Sequence, residues 1–211
     1  FYTDALAVVE ELNDEELDAS IELVKDIYLT APNVYDDNEK TAEVLEKGYE
    51  VTDNDNDVKD SLVNTYEEII EDYKNDEKPD SAKILEICDR ILELDRSNEE
   101  ITDTRKNILE EYIKEALGNG NSDTAKELID KYKELVPDID YEKVVEDCIN
   151  GLFENEDYET VKKLADDFKD IFLDINLEDM LSELETLEQE TAQKKALMLT
   201  VFDYMSAEDY D

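Results

Sequence analysis

Apolar side chains return at every third or fourth residue along almost the whole chain, and little interrupts them. Its 211 residues include four glycines and three prolines. This spacing lays the apolar groups along one stripe of an α-helix, and helix breakers are too scarce to divide it often. The pattern predicts an all-α chain, with helices near 3–12, 15–30, 39–51, 58–74, 80–94, 98–117, 123–135, 140–153, 157–173 and 177–205. Short polar links separate them, among them Asn75-Asp76-Glu77-Lys78-Pro79, Gly118-Asn119-Gly120-Asn121 and Asn155-Glu156-Asp157. Ser97, Ser122 and Asn176 stand where N-caps belong, and Pro32 and Pro137 where helices stop.

The pattern also repeats. With Ala82, Ala125 and Val161 in one column, Leu85, Leu128 and Leu164 follow three residues on. Leu94, Pro137 and Leu173 follow twelve residues on, each with an Asp behind it. Counting back, Tyr66, Leu109 and Val145 align, then Ile69, Tyr112 and Cys148, then Ile70, Ile113 and Ile149, then Tyr73, Ala116 and Leu152. Four apolar columns in constant register mark three helical hairpins over 58–173, with no gap needed inside a hairpin. Residues 1–57 form divergent N-terminal helices ahead of them. Either the first of these is half of a truncated repeat or the 39–51 helix is an addition. Leu177, Leu181, Leu184, Leu187, Thr191, Met198, Val201, Phe202 and Met205 give a last helix that caps the array or pairs weakly with a second copy. The expected architecture is one domain of stacked antiparallel hairpins, an α-solenoid closed by a long C-terminal capping helix.

Ala125, Ile129, Tyr132 and Pro137 carry the spacing of the second helix of a tetratricopeptide repeat, and Ser20, Val24, Ile27 and Pro32 follow it more loosely. Over about half its length the chain therefore resembles that family, and related helical-repeat families share the layout. The resemblance implies a concave face lined by the first helix of each hairpin, with a peptide contacted by positions beside the buried columns. Those positions hold Glu67, Glu110 and Glu146, flanked by Asn64 and Asn107.

Charge narrows the choice of partner. The chain carries 63 acidic residues against 21 basic ones, a formal charge of −42. Nucleic acid is excluded because its affinity rests on Lys and Arg displacing counterions, and anionic membrane surfaces are excluded for the same reason. There is no histidine, which removes the usual general base, a common metal ligand and every Ser/His or Cys/His nucleophile pair. No glycine-rich phosphate loop is present, and no apolar run approaches the length of a membrane span. Asp166-Asp167-Phe168-Lys169-Asp170 spells a DDxxD magnesium motif, but with thirty aspartates in the chain it is an expected chance event. Asp53-Asn54-Asp55-Asn56-Asp57 alternates carboxylates as a calcium loop does, yet Val58 and Asn64 stand where such a loop needs Gly and Glu. It reads as a solvated turn with at most weak calcium affinity. Cys88 and Cys148 are 60 residues apart without CxxC spacing, so they read as packed thiols and not as a zinc site.

The expected function is a non-enzymatic protein- or peptide-interaction module, with no cofactor and no resident metal, whose acidic groove takes a basic or polar peptide. Two rivals stand beside it. One is an extracytoplasmic structural or cell-surface domain, of bacterial origin by its lysine-over-arginine usage, with weak divalent-cation binding. The other is an acidic mimic that occupies a basic site elsewhere.

Overall fold

The computed structural model describes residues 1–171 and 177–208. Among these there is no strand. Eleven α-helices follow in order: α1 Tyr2–Glu10, α2 Asp14–Ala19, α3 Ile21–Leu29, α4 Asn38–Val51, α5 Asn56–Asn75, α6 Ser81–Leu94, α7 Glu99–Gly118, α8 Ser122–Tyr132, α9 Tyr141–Glu154, α10 Tyr158–Phe168 and α11 Leu177–Glu208. A single 3₁₀ turn at Ala31–Asn33 follows α3 and carries Pro32. None of the described helices is long and apolar enough to cross a membrane.

The helix expected over 15–30 is two helices. Ser20 leaves helical geometry (φ −121°, ψ 13°), and its N–H reaches only to Leu17 O at 3.0 Å. Asn13 opens the first piece with a capping box closed by Glu16. Two further expectations shift by one residue. The cap of α8 is Asn121 and not Ser122, and Asn98 accepts from Ile101 N–H at 3.0 Å in place of Ser97. In both cases an acid occupies the serine hydroxyl, since Ser97 Oγ donates to Asp95 at 2.6 Å and Ser122 Oγ to Asp167. Leu173, Asp174 and Asn176 lie outside the described residues.

The chain gathers into two compact units, 1–109 and 110–211, with the boundary inside α7. In the first unit α3 packs on α1, α2, α4 and α5, α4 on α5, and α5 on α6. The core comes from Val24, Tyr28, Leu45, Val58, Leu62, Tyr66, Ile70, Ile84, Cys88 and Ile91, with Ile101 from the start of α7. In the second unit α9 packs on α10 and α10 on α11. Ile113, Leu117, Ala125, Tyr132, Val145, Ile149, Val161, Leu164 and Phe168 are buried there, with Leu184 of α11.

Three helices begin in the same way. Asp80, Asn121 and Asp157 each accept from the backbone N–H three residues on, and the residues four, eight and eleven places after the cap are buried. These are Ile84, Cys88 and Ile91 in α6; Ala125, Ile129 and Tyr132 in α8; and Val161, Ala165 and Phe168 in α10. Ala82, by contrast, is exposed. The hairpin alignment therefore does need a gap, because the α5–α6 link (76–80) is two residues longer than the 119–121 and 155–157 links. The short links are alike in detail. Gly120 (φ 68°) and Glu156 (φ 63°) take the left-handed conformation. Asn121 N–H then bonds Ala116 O at 2.8 Å, and Asp157 N–H bonds Leu152 O at 3.0 Å. This is the Schellman arrangement, and it recurs after α4, where Asp53 (φ 52°) precedes an Asn54 N–H bond to Tyr49 O at 2.9 Å.

Candidate functional site

On α5, Leu62, Tyr66, Ile69 and Ile70 are committed to the core. Helical spacing then sets Asn64, Glu67, Glu68, Glu71 and Asp72 on the flank of the same helix. The start of α7 brings Glu100 and buried Ile101 alongside, and the start of α4 brings Asn38. Between them lies a groove of about 710 Å³ within the first unit, floored by Ile70 and Ile101, which are 2 % and 4 % exposed, with carboxylates around it.

Part of that acidity is held internally. Asn38 Nδ2 donates to Asp72 Oδ2 at 3.1 Å, Asn98 Nδ2 to Glu67 Oε1 at 3.4 Å, and Lys74 Nζ to Glu71 Oε1 at 2.9 Å. Glu68 and Glu100 make no ion pair among the described residues. Five carboxylates therefore surround the groove and one ammonium answers them. A smaller hollow of about 390 Å³ adjoins it through Asn38 and Asp72 and adds Asp36, Asp37, Glu39 and Asp76. There the Tyr73 hydroxyl donates to Glu39 at 2.6 Å, and that bond, with burial and the acids around it, pushes the phenol up to about 12.

A third hollow, about 310 Å³ between α4, α5 and α6, has a different character. Tyr66 and Arg90 both donate to Glu46, Arg90 Nη1 at 2.6 Å, while Arg90 Nη2 reaches Glu86 at 2.8 Å. Burial first, then the bond to Glu46, raises the Tyr66 hydroxyl to about 12. Burial alone would raise the Glu86 carboxyl, but Lys83 and Arg90 hold it below its ordinary value. These charges answer each other and tie three helices together.

The groove unites Asn64, which is exposed, and Glu67, which is half-buried. Asn107, Glu110 and Glu146 do not line it. Asn107 and Glu146 are exposed, and Glu110 accepts from Lys114 Nζ at 2.5 Å. Sequence reasoning missed Glu68, Glu71, Asp72, Glu100 and Asn38. The three α5 acids had a readable signal in their shared flank with Glu67. Glu100 and Asn38 come from other helices and had none.

The two acidic motifs take structural roles. Asp53 and Asn54 turn the chain, Asp55 caps α5, and Lys25 Nζ lies 3.1 Å from Asp57 Oδ2 and 3.5 Å from Asp55 Oδ2. In the DDxxD stretch Phe168 is fully buried, Asp166 pairs with Lys169 at 2.5 Å, and Asp167 with Lys126 at 3.5 Å. The Ser122 hydroxyl, then Lys126 against the cost of burial, holds the Asp167 carboxyl low. Among the described residues no group of three or more His, Cys, Asp or Glu side chains is arranged to hold a metal ion. Both cysteines are free thiols, Cys88 buried and Cys148 half-buried.

Compared with protein-family models, with curated proteins and with solved structures, the chain matches none.

Proposed function

We propose that this chain is a non-enzymatic interaction module, a tetratricopeptide-like stack of helical hairpins whose acidic groove binds a basic or polar peptide. One observation carries the reading: the groove of about 710 Å³ gathers Glu67, Glu68, Glu71, Asp72 and Glu100 over a floor of buried Ile70 and Ile101, with Lys74 as the one cation in its lining. A volume of that order lies within the usual range for ligand pockets, about 300–1,000 Å³. Five carboxylates answered by one ammonium suit a peptide rich in lysine or arginine, whose aliphatic stems can lie along the groove walls. The overall field of −42 speeds encounter with such a partner and weakens as salt is added.

Calorimetric titration with a lysine- and leucine-containing peptide tests this. The combined change Glu67→Gln, Glu68→Gln and Glu100→Gln is expected to weaken binding by about ten-fold or more. Changing three acids that do not line the groove, Glu15, Glu127 and Glu159, to Gln removes the same charge and serves as control. Equal losses in the two triples would reduce the effect to net charge and sink the groove reading. The same comparison applied to Glu67, Glu110 and Glu146 asks whether the repeated column acts as a unit.

A further inference from the structure

The last helix supplies a surface of the opposite kind. From Gln189 to Leu199 every residue of α11 is exposed. Successive helical positions are about 100° apart, so eleven exposed positions in a row leave every side of the helix uncovered. Leu197, Met198 and Leu199 are 67 %, 60 % and 59 % exposed. In sequence, Thr191 to Phe202 is the longest stretch of the chain without Asp or Glu, and it carries Lys194 and Lys195. A chain of −42 thus contains a cationic, apolar helical segment and an acidic groove.

We propose that the distal part of α11 in one copy docks in the α5–α7 groove of a second copy, head to tail; this rests on the groove reading above. Lys194 and Lys195 meet Glu68 and Glu100, and the adjoining leucine and methionine side chains lie along the aliphatic stems of the groove's glutamates. Two different surfaces join, so each copy keeps one of each free and the contact builds rings or open chains. Repulsion between copies of −42 opposes the contact at low salt, and very high salt screens the lysine–carboxylate attraction. Association is therefore strongest at intermediate ionic strength, where the Debye length is about 8 Å.

Sedimentation velocity of the full chain over a range of concentrations tests this. The expected result is mass that grows with concentration near ~0.15 M salt. It should weaken by about ten-fold or more in K194E/K195E and in E68K/E100K, and return when the two variants are mixed, because the acidic helix of one fits the basic groove of the other. A synthetic peptide of residues 191–202 should dissociate the unmodified assemblies, a readout that needs no variant. A monomer at every concentration overturns the proposal, whether or not the segment binds neutral phosphatidylcholine vesicles. So do variants that associate as the parent does, or a peptide without effect. If the lysine- and leucine-containing peptide binds a chain that stays monomeric, self-docking falls and the groove reading stands. If that peptide fails to bind at all, the groove reading itself falls.

Discussion

Gly48 lies within α4, where alanine would ordinarily gain up to about 1 kcal/mol in helix propensity. A Cβ there would stand 2.6 Å from Tyr28 Cγ and 2.7 Å from Tyr28 Cβ, at the root of a buried ring. Those atoms cannot swing aside without moving α3, so overpacking, about 1–3 kcal/mol, outweighs propensity. Gly48→Ala is expected to lower the urea midpoint, and an unchanged or raised midpoint would contradict the tight α3–α4 contact. The cysteines make a second test. Burial drives the Cys88 thiol up to about 12, and it raises Cys148, which is half-buried, as well. The thiolate is the reactive form, so a thiol reagent on the native chain should label Cys148 well before Cys88. Equal rates would show that the α6 core opens readily.

Among the elements, the matched links after α7 and α9 differ at one telling position. Gly120 takes φ 68° freely, whereas Glu156 takes φ 63° against its own side chain. The left-handed conformation costs an L-residue roughly 1–2 kcal/mol. Glu156→Gly should therefore stabilise by about 1 kcal/mol after glycine's entropy in the unfolded chain, and Gly120→Ala should destabilise by about as much, both read from denaturant curves. Removing the next residue's cap, by Asn121→Ala or Asp157→Ala, is expected to cost about 1 kcal/mol each. Helix existence was legible in the sequence because a buried stripe forces a 3.6-residue period. Cap identity was not, because Ser97 and Ser122 each adjoin an Asn that caps equally well, and the acids that take the hydroxyls, Asp95 two residues back and Asp167 from α10, follow no common pattern. The two-residue shift in α6 was hidden for a similar reason: an alanine column aligns equally well whether Ala82 is buried or exposed.

For the molecule as a whole, repulsion among 63 acids with only 21 bases to answer them outweighs exposed ion pairs such as Lys40–Glu43 and Lys133–Asp130, each worth about 0–1 kcal/mol. Raising salt from about 0.01 M to 0.15 M shortens the Debye length from about 30 Å to 8 Å. The melting temperature should rise over that interval, and a flat or falling curve would show that the ion pairs dominate. Only part of the candidate site was readable, for a related reason. Asn64 and Glu67 follow from the α5 register, but Glu100 and Asn38 join them only because α7 and α4 pack against the same helix, which no local pattern records. The twin links have one more consequence, for the length of the molecule. Residues 121–156 begin and end on the same turn geometry, so this stretch is a cassette with matching ends. Splicing a second copy between Glu156 and Asp157 would meet the backbone on both sides in the conformation it already holds, so two further helices, α8 and α9, could be added without redesigning a joint.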